Sequence, residues 1–431
     1  MTIDINKNKS FCPYPFYHSY IGSRYERKLC CVSDDIEGYE KTSQEEFWNS
    51  EYMKDVRQKM ILGEKIDVCG RCYDFEKLGL KSLRLGSGES VVNEHSFAKL
   101  MDGYDYETGE MHKGPSYFDH RTIHCNLQCV SCGPPYSSTH QILHEKMWGS
   151  KINFTVDDKF EETYGQEIID ALESKRCESI YWAGGEPTMS TMHWNVVEKL
   201  RELSENPEYS DYVQNLRIHY NTNLTRLFWK GNHIPSMLEF YQPSIQASID
   251  GTHETFEYCR DGGKWGQVSV NWDQYYEKLN KRKQFGIASV LSSPVLMDID
   301  RWFEFFSKYD ITIYNHKYVC DINTYPNAVQ AMLDVRLLPQ HIFDRVVGNA
   351  IEKFEKCGMP GADISISYLR AYIQERMDSK DFFENEENLR IIKRNTMRRD
   401  QFLKTPRPFH ELLNIIDKEA FEWYGSIKHE D

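Results

Sequence analysis

The stretch HCNLQCVSC, residues 124–132, is the most informative part of this sequence, because Cys125, Cys129 and Cys132 are spaced C-x3-C-x2-C. Cysteine thiolates bind zinc and iron–sulfur clusters. Sites that only hold a structure together usually have four protein ligands, so a group of three predicts a metal centre with one open coordination position. The cysteines follow the β-type run YFDHRTIH, residues 117–124. They are therefore expected at the C-terminal end of a strand, where parallel sheets build their active sites.

The alternative for these three cysteines is a zinc site completed by a histidine, or a set of free thiols. His120 and His124 lie close enough along the chain to complete such a site. Zinc-binding proteins usually carry paired C-x2-C motifs, and C-x3-C-x2-C is rarer. A [4Fe–4S] cluster has four irons that each take one ligand, so three cysteines leave one iron open. The spacing therefore favours a cluster.

Composition and charge restrict the class of protein. The chain has 431 residues, 40% hydrophobic and 13% aromatic, which allows a large core and two or three domains. Its formal net charge of −14 argues against non-specific binding to nucleic acid. The N-terminal stretch has no apolar segment of the kind found in secretory signals, and no apolar run predicts a membrane span. We therefore expect a cytoplasmic protein, in which twelve cysteines indicate metal or redox chemistry.

From about residue 116 to 325, short β-type runs alternate with helix-length segments. This alternation predicts βαβ units and a parallel sheet. Six units fit an α/β fold of the partial (β/α)6 TIM-like barrel type, and a doubly wound sheet fits the pattern equally well. The strand candidates are RTIHC (121–125), SIYWA (179–183), LRIHYN (216–221), SIQASID (244–250), IASVLS (287–292) and ITIYNHKY (311–318).

Three further regions surround this core. Residues 1–80 are a small cysteine-rich N-terminal region, 81–115 a connector with turns, and 326–431 a helical C-terminal extension. Helices are predicted over residues 327–338, 340–358 and 366–377. The C-terminal extension carries seven basic residues from Arg390 to Arg407, which indicates a solvated helix face or, less favoured, a contact with a negatively charged partner.

A second group of cysteines lies in the N-terminal region. Adjacent residues of a strand face opposite ways, so only one of Cys30 and Cys31 is expected to be a ligand, and we favour Cys30. Between the cysteines, SQEE (43–46) is a capping box that begins a helix predicted to run to Gly63. The closed set of four thiols is Cys12, Cys30, Cys69 and Cys72.

The motif CNLQCVSC resembles the signature of the radical S-adenosylmethionine (SAM) superfamily, and further motifs of that family follow in the expected order. YWAGGEPTM (181–189) is similar to the GGE motif after the second strand, and SIQASIDG (244–251) to the motif of the fourth strand. HETFEYCRDGGKWGQV (253–268) is similar to the segment that carries an arginine after that strand. The matching residues are Gly184, Gly185, Glu186, Pro187, Ser248, Asp250 and Arg260, with Asn223 after the third strand as a weaker candidate.

The resemblance implies roles for these residues. The three cysteines would hold a [4Fe–4S] cluster whose open iron binds the amino and carboxylate groups of SAM. The turn at 184–187 would let the backbone approach the SAM amino group, Ser248 and Asp250 would suit a ribose or carboxylate, and Arg260 the SAM carboxylate. The implied activity is that of an oxidoreductase-like enzyme: one-electron cleavage of SAM gives methionine and a 5′-deoxyadenosyl radical, which takes a hydrogen atom from the substrate.

The N-terminal region resembles the auxiliary iron–sulfur region called SPASM, or its shorter twitch form. FCPYPF (11–16), LCCVSDD (29–35) and VCGRC (68–72) carry this resemblance in that order. Such regions usually follow the barrel, and here the match precedes it. The resemblance implies a second [4Fe–4S] cluster on the four N-terminal thiols, and a zinc ribbon is the alternative.

The resemblance also implies partners. A radical SAM enzyme needs a reductant protein such as flavodoxin or ferredoxin. Enzymes with auxiliary clusters of this type modify peptides, proteins, sugars or small cyclitols, by oxidation, epimerisation or cross-linking, and a peptide or protein is the favoured substrate here. A sugar or small molecule is the alternative. A zinc-stabilised binding protein without radical chemistry is the alternative from a different class.

Overall fold

A computed structural model describes residues 8–89, 94–152, 157–318, 331–405 and 407–428. The chain forms two compact units, Met1–Ile123 with Phe154–Tyr220, and His124–Asn153 with Asn221–Asp431. Both are mixed α/β, and their strands are mostly parallel. Across these described ranges, no helix combines the length and apolar character needed to cross a membrane.

The strands are β1 (His18–Ile21), β2 (Arg27–Lys28), β3 (Tyr117–Thr122), β4 (Ser179–Gly184), β5 (Arg217–Thr222), β6 (Phe228–Trp229), β7 (Asn232–His233), β8 (Ser244–Ser248), β9 (Phe285–Ala288), β10 (Val290–Leu291), β11 (Thr312–Ile313) and β12 (His316–Lys317). The helices are α1 (Tyr14–Tyr17), α2 (Gln44–Trp48), α3 (Glu51–Leu62), α4 (Gly70–Lys77), α5 (Leu83–Glu89), α6 (Glu94–Leu100), α7 (Ser138–Trp148), α8 (Asp158–Glu173), α9 (Thr191–Glu205), α10 (Ser210–Asn215), α11 (Ile234–Leu238), α12 (His253–Cys259), α13 (Trp265–Leu279), α14 (Ser293–Met297), α15 (Ile299–Phe306), α16 (Gln340–Cys357), α17 (Ala362–Asp378), α18 (Lys380–Phe383), α19 (Glu386–Asp400), α20 (Phe409–Ile416) and α21 (Lys418–Ser426).

The first unit contains strands in the order β2-β1-β3-β4-β5. β2 is antiparallel to β1, and the other neighbours are parallel. The register places His120 of β3 opposite Trp182 of β4, and Trp182 opposite Tyr220 of β5. Because side chains alternate along a strand, these three residues lie on one face of the sheet.

Helices α8 and α9 cover that face with a buried aromatic layer. Tyr164 of α8 stacks on His120 with 5.5 Å between ring centroids. His193 of α9 packs edge-on against Trp182 at 5.1 Å, and its Nε2 lies 2.7 Å from the Tyr220 hydroxyl. Burying each large side chain contributes about 1.5–3 kcal/mol. This layer fixes β3 and β4, and with them the turn that follows β4.

The capping box at SQEE forms as predicted, but the helix it begins ends early. Ser43 Oγ accepts from Glu46 N at 3.2 Å, and Ser43 N donates to Glu46 at 2.8 Å. α2 stops at Trp48, and Ser50 caps a separate helix, α3, which ends at Gly63 with φ +80°. The buried Arg57 donates to the Trp48 carbonyl at 2.7 Å, so the break leaves that carbonyl with a partner.

The segment expected to be a connector with turns, residues 81–115, contains helices α5 and α6. Gly86 and Gly88 lie inside α5. Glycine has a low helix propensity, so the residues of α5 do not predict a helix.

In the second unit, β8, β9 and β11 are parallel neighbours, with Ala247 opposite Ile287 and Ile287 opposite Ile313. β10 and β12 form a parallel pair, and β6 and β7 an antiparallel hairpin. An aromatic core lies between α13 and α15, where Phe306 is 4.9 Å from both Trp272 and Trp302. Each of the six predicted strand runs contains a strand of the structure or overlaps one.

Several boundaries differ from the prediction. The first predicted run, 121–125, matches β3, which begins earlier, at Tyr117, and ends at Thr122, before the cysteines. The last two predicted runs are each divided into two short strands, β9 with β10 and β11 with β12. In the described part of the predicted helix at 327–338, two 3-10 turns replace it, because the Asp334 side chain accepts from Arg336 N at 2.9 Å and caps the second turn. Residues 327–330 lie outside the described ranges. Closure of the strands into a partial barrel stays a prediction.

Candidate functional site

The three cysteines of the 124–132 stretch lie on one loop between β3 and α7, called here the cysteine loop. Cys125 and Cys129 are buried. Cys132 is half-buried and packs against these two cysteines and Leu127. Burial raises the pKa of Cys129. Burial, followed by repulsion from the other two sulfurs, raises the pKa of Cys132 to about 12. Both shifts favour the neutral thiol at Cys129 and Cys132, and a metal centre would have to displace these protons.

The donor set of the loop fits an iron–sulfur cluster in chemistry and number. Each thiolate of a [4Fe–4S] cluster binds a different iron, so three thiols packed together account for three of its four irons. Within the described ranges, no three His, Cys, Asp or Glu side chains are arranged as ligands of a single metal ion.

A buried ion pair lies beside Cys129. Asp250, just after β8, accepts from Val290 N at 2.7 Å and pairs with Arg260 Nε at 2.9 Å. Arg260 Nη1 lies 4.0 Å from Cys129 Sγ. Burial opposes the charge on Arg260, but the Asp250 carboxylate and the neighbouring sulfurs raise its pKa above the ordinary value. A permanently charged planar guanidinium is therefore held next to the thiols.

Four successive carbonyls of the cysteine loop accept hydrogen bonds from side chains. The donors come from the start of α7 and from the C-terminal segment around α19. Such bonds satisfy backbone groups that have no partner within a helix or sheet. Lys404 Nζ donates to Asn126 O at 3.0 Å, the Thr139 hydroxyl to Leu127 O, Arg399 Nη2 to Gln128 O at 2.9 Å, and His140 Nε2 to Cys129 O at 2.9 Å.

The amides of the loop are also bonded. Ser138 Oγ accepts from Cys125 N at 3.3 Å, and the carbonyls of Asp261 and Cys259 accept from Gln128 N and Val130 N, each at 2.8 Å. Two of these bonds connect the loop to Cys259 and Asp261, the residues on either side of Arg260. The spacing of the three sulfurs is thus set by a bonded backbone.

His140 acts here as a neutral donor. Burial lowers its pKa to about 4, and the charge of Arg399 acts in the same direction. A carbonyl oxygen can only accept, so the imidazole carries its proton on Nε2.

Gly184 and Gly185 make a close approach to the end of β3. Gly184 has φ +104°, and a Cβ at this position would lie 2.3 Å from Thr122 O. Gly185 N donates to the same oxygen at 2.6 Å. Only glycine fits this combination of positive φ and backbone contact.

Glu186 and Pro187 continue from that turn. The Glu186 side chain is fully buried and accepts from Thr188 N at 3.3 Å and from its hydroxyl at 2.7 Å, and Pro187 begins a 3-10 turn. The Glu186 carboxylate therefore caps the turn.

Asn223 and Ser248, the remaining candidates, differ in their surroundings. Asn223 Nδ2 donates to Asn126 Oδ1 of the cysteine loop at 3.1 Å, and its own oxygen accepts from Thr225 N at 3.0 Å. Ser248 is half-buried at the end of β8. Asn223 is thus placed against the loop, and the ligand roles of both residues stay predictions.

Four N-terminal cysteines line one cavity in the first unit, together with Arg84. The cavity holds about 320 Å³ of space outside the protein atoms, including a part open to solvent. Its cysteines are Cys12, Cys30, Cys69 and Cys72, and Cys31 is exposed outside it. Burial, with repulsion among the sulfurs, raises the pKa of Cys12 and of Cys69 to about 12. Four converging thiols beside a guanidinium fit a fully ligated cluster in number and chemistry.

Sequence reasoning missed the residues that hold the cysteine loop from outside. The expectation that the basic C-terminal segment is a solvated face is wrong for Lys393 and Arg399, which are both buried. Lys393 donates to the carbonyls of Tyr424 and Ile427, each at 2.8 Å. The excess of basic residues was a signal, but their partners are backbone carbonyls, which no residue pattern displays.

Comparisons with known proteins give only partial resemblances. No protein-family model and no curated protein matches the sequence. Native anSMEcpe with bound AdoMet is 17% identical, with 57% of this chain and 68% of that chain covered and a TM-score of 0.35. The form with AdoMet and Kp18Cys peptide is 16% identical, with 57% and 62% covered and a TM-score of 0.34. SuiB of Streptococcus suis bound to S-adenosylmethionine is 14% identical, with 76% and 66% covered and a TM-score of 0.37. Scores this low do not establish a shared fold or activity.

Proposed function

We propose that this protein is a radical SAM enzyme whose cysteine loop holds a [4Fe–4S] cluster with one iron open to SAM. The observation that carries the proposal is the packing of Cys125, Cys129 and Cys132 in one buried group, with the Arg260 guanidinium 4.0 Å from a sulfur. Three thiols beside a fixed cation suit a cluster that must also accept an anionic ligand group.

Each group of the protein would have a separate role at this site. The thiols would bind three irons. Arg260, oriented by Asp250, would meet the SAM carboxylate, and its charge is permanent at any physiological pH. Asn223 would keep the loop in place through Asn126. The turn at Gly184–Pro187 would bind the SAM amino group, a role that the motif resemblance alone supports. When bound and reduced, the cluster supplies the electron that cleaves SAM to methionine and a 5′-deoxyadenosyl radical.

The N-terminal cavity is proposed to hold a second [4Fe–4S] cluster with a closed set of protein ligands. Such a cluster would transfer electrons or stabilise the fold. Arg84 supports this role because it lines the cavity and donates to Phe11 O at 3.0 Å, next to Cys12. The Arg84 guanidinium is shared with the Glu76 carboxylate, to which its Nε donates at 3.0 Å, so its positive charge would offset only part of the repulsion among four thiolates.

The substrate class is proposed from the motif resemblance. A peptide or protein, modified by oxidation, epimerisation or cross-linking, is favoured over a sugar or small molecule. A flavodoxin or ferredoxin would supply the electron in a cytoplasmic setting.

The proposal is tested by anaerobic reconstitution with iron and sulfide, followed by assay with SAM and dithionite. We expect a brown protein with about eight irons per chain, since two four-iron clusters are proposed. Methionine and 5′-deoxyadenosine should form, and Cys125→Ala should abolish both. Cys357→Ala, a half-buried cysteine at the end of α16, is the matched control and should retain activity. A colourless protein that binds zinc, or SAM cleavage retained in Cys125→Ala, would remove the assignment.

A further inference from the structure

The C-terminal segment of the second unit contacts the cysteine loop directly. Residues 399–405, called here the C-terminal clasp, end α19 and continue into the following turn. Arg399 is 2% exposed, and its Nη2 donates to Gln128 O at 2.9 Å. Lys404 Nζ donates to Asn126 O at 3.0 Å. Two cations of one segment therefore bond two carbonyls that lie between Cys125 and Cys129.

The clasp is itself anchored to the stretch that carries Arg260. The Asp261 carboxylate accepts from Lys404 N at 3.0 Å and from Thr405 N at 2.8 Å. The Asp261 carbonyl accepts from Gln128 N at 2.8 Å. Asp261 thus joins the clasp and the cysteine loop, and the position of one depends on the position of the other.

The clasp also places a charge close to the cysteine loop. Arg399 bonds the carbonyl of the residue before Cys129, and its charge opposes the rise that burial causes in the pKa of the Cys129 thiol. Arg399 Nη1 lies 3.9 Å from Asp400 Oδ1, and among the described residues no carboxylate lies nearer, so its charge is weakly paired. A buried cation next to thiolates favours any state of the site that carries more negative charge. Reduction of a cluster adds one such charge.

We propose that Arg399 and Lys404 are positioning residues, which hold the cysteine loop in its ligating shape and, through Arg399, favour the reduced form of the cluster. This inference rests on the proposed function for its second half only. The first half concerns the protein chain and can be tested without metal.

The first test is hydrogen–deuterium exchange of the metal-free full-length chain, followed on the peptide that contains residues 126–132. Arg399→Gln should speed exchange of this peptide about tenfold, the effect of losing one charge-assisted bond of about 1.4 kcal/mol. Lys404→Gln changes an exposed side chain, so the fold should tolerate it, and about threefold faster exchange is expected. Arg398→Gln is the matched control: Arg398 donates to Met147 O and stacks on Trp148, away from the loop.

The second test is redox titration of the reconstituted protein, followed by the EPR signal of the reduced cluster. At a fixed ambient potential, Arg399→Gln should lower the reduced fraction about threefold or more, and Arg399→Lys, which keeps the charge, should restore most of it. A purely structural role would not separate Gln from Lys in this way.

Loop exchange in both Arg399→Gln and Lys404→Gln equal to wild type overturns the proposal, and so does a reduced fraction that is the same in Arg399→Gln and wild type. If the wild-type protein takes up no iron, the proposed function fails, and the exchange comparison still decides whether the clasp holds the loop.

Discussion

Replacing Gly184 by alanine should destabilise the first unit strongly, because the added Cβ would meet backbone and not a mobile side chain. The nearest atoms would be Thr122 O at 2.3 Å, Thr122 N at 2.5 Å and the Arg121 carbonyl carbon at 2.7 Å. These atoms belong to β3, which pairs with β4 at this register. To make room, the ends of the two strands must separate.

The cost has three parts. A positive φ costs a non-glycine residue about 1–2 kcal/mol. Loss of the bond from Gly185 N to Thr122 O costs about 1 kcal/mol, and displacing packed backbone about 1–3 kcal/mol more. The sum is about 3–6 kcal/mol. For a unit of this size, each kcal/mol lowers the melting temperature by about 2–4 °C, so a decrease of at least about 6 °C is expected.

Gly38→Ala is the matched control in the same unit. Gly38 has φ +85°, and nothing lies within 4 Å of its Cβ position, so this variant measures the backbone strain alone. Both variants are melted and followed by circular dichroism. If Gly184→Ala melts within about 2 °C of Gly38→Ala, the close approach of the two strands is not as described.

Three further outcomes are expected. Arg260→Lys keeps the charge that pairs with Asp250 but loses the planar fork of the guanidinium. The dissociation constant for SAM, measured by equilibrium dialysis, should therefore rise about tenfold while the iron content stays unchanged. An unchanged dissociation constant would argue against a contact between Arg260 and SAM. Cys69→Ala should lose about half of the bound iron and still cleave SAM, and loss of both clusters would mean that the two sites are not independent. Burial raises the pKa of Asp400 from 3.8 to about 6, so the folded chain binds this proton more tightly than the unfolded chain. Stability should therefore fall as the pH rises from about 4 through about 6, by at most about 3 kcal/mol, and Asp400→Asn should remove this loss in melting curves across that range; equal pH dependence in both proteins would contradict it.

Most strands from β3 onward could be predicted from the sequence, because they lie in or next to local runs rich in Ile, Val, Tyr and Thr or in several apolar residues. The hairpin of β6 and β7 was missed, since Phe228–Trp229 and Asn232–His233 are too short to form such a run. The N-terminal strands β1 and β2 were missed. His18–Ile21 pairs with Tyr117–His120, about a hundred residues away, and no local periodicity shows such a contact. The division of one predicted helix at Asn49 was missed for a similar reason, since the residue that satisfies its end is Arg57, in the next helix.

The candidate site shows the same division between local and distant information. The cysteines, Asp250 and Arg260 could be named because each lies in a motif of fixed spacing. The clasp residues Arg399 and Lys404 could not be assigned a partner, because they bond carbonyls of the cysteine loop about 270 residues earlier. Sequence shows side chains, and the partners of these cations are backbone atoms.

The open iron of the cysteine-loop cluster is tested most directly by one EPR spectrum. In Cys12→Ala/Cys69→Ala/Cys72→Ala, only the loop cluster should remain after reconstitution. The EPR spectrum of this variant, reduced with dithionite, is recorded with and without SAM. Direct binding of SAM to the open iron predicts a clear change in the g values and line shape. An unchanged spectrum at saturating SAM, or a protein that takes up zinc and no cluster, would contradict the account.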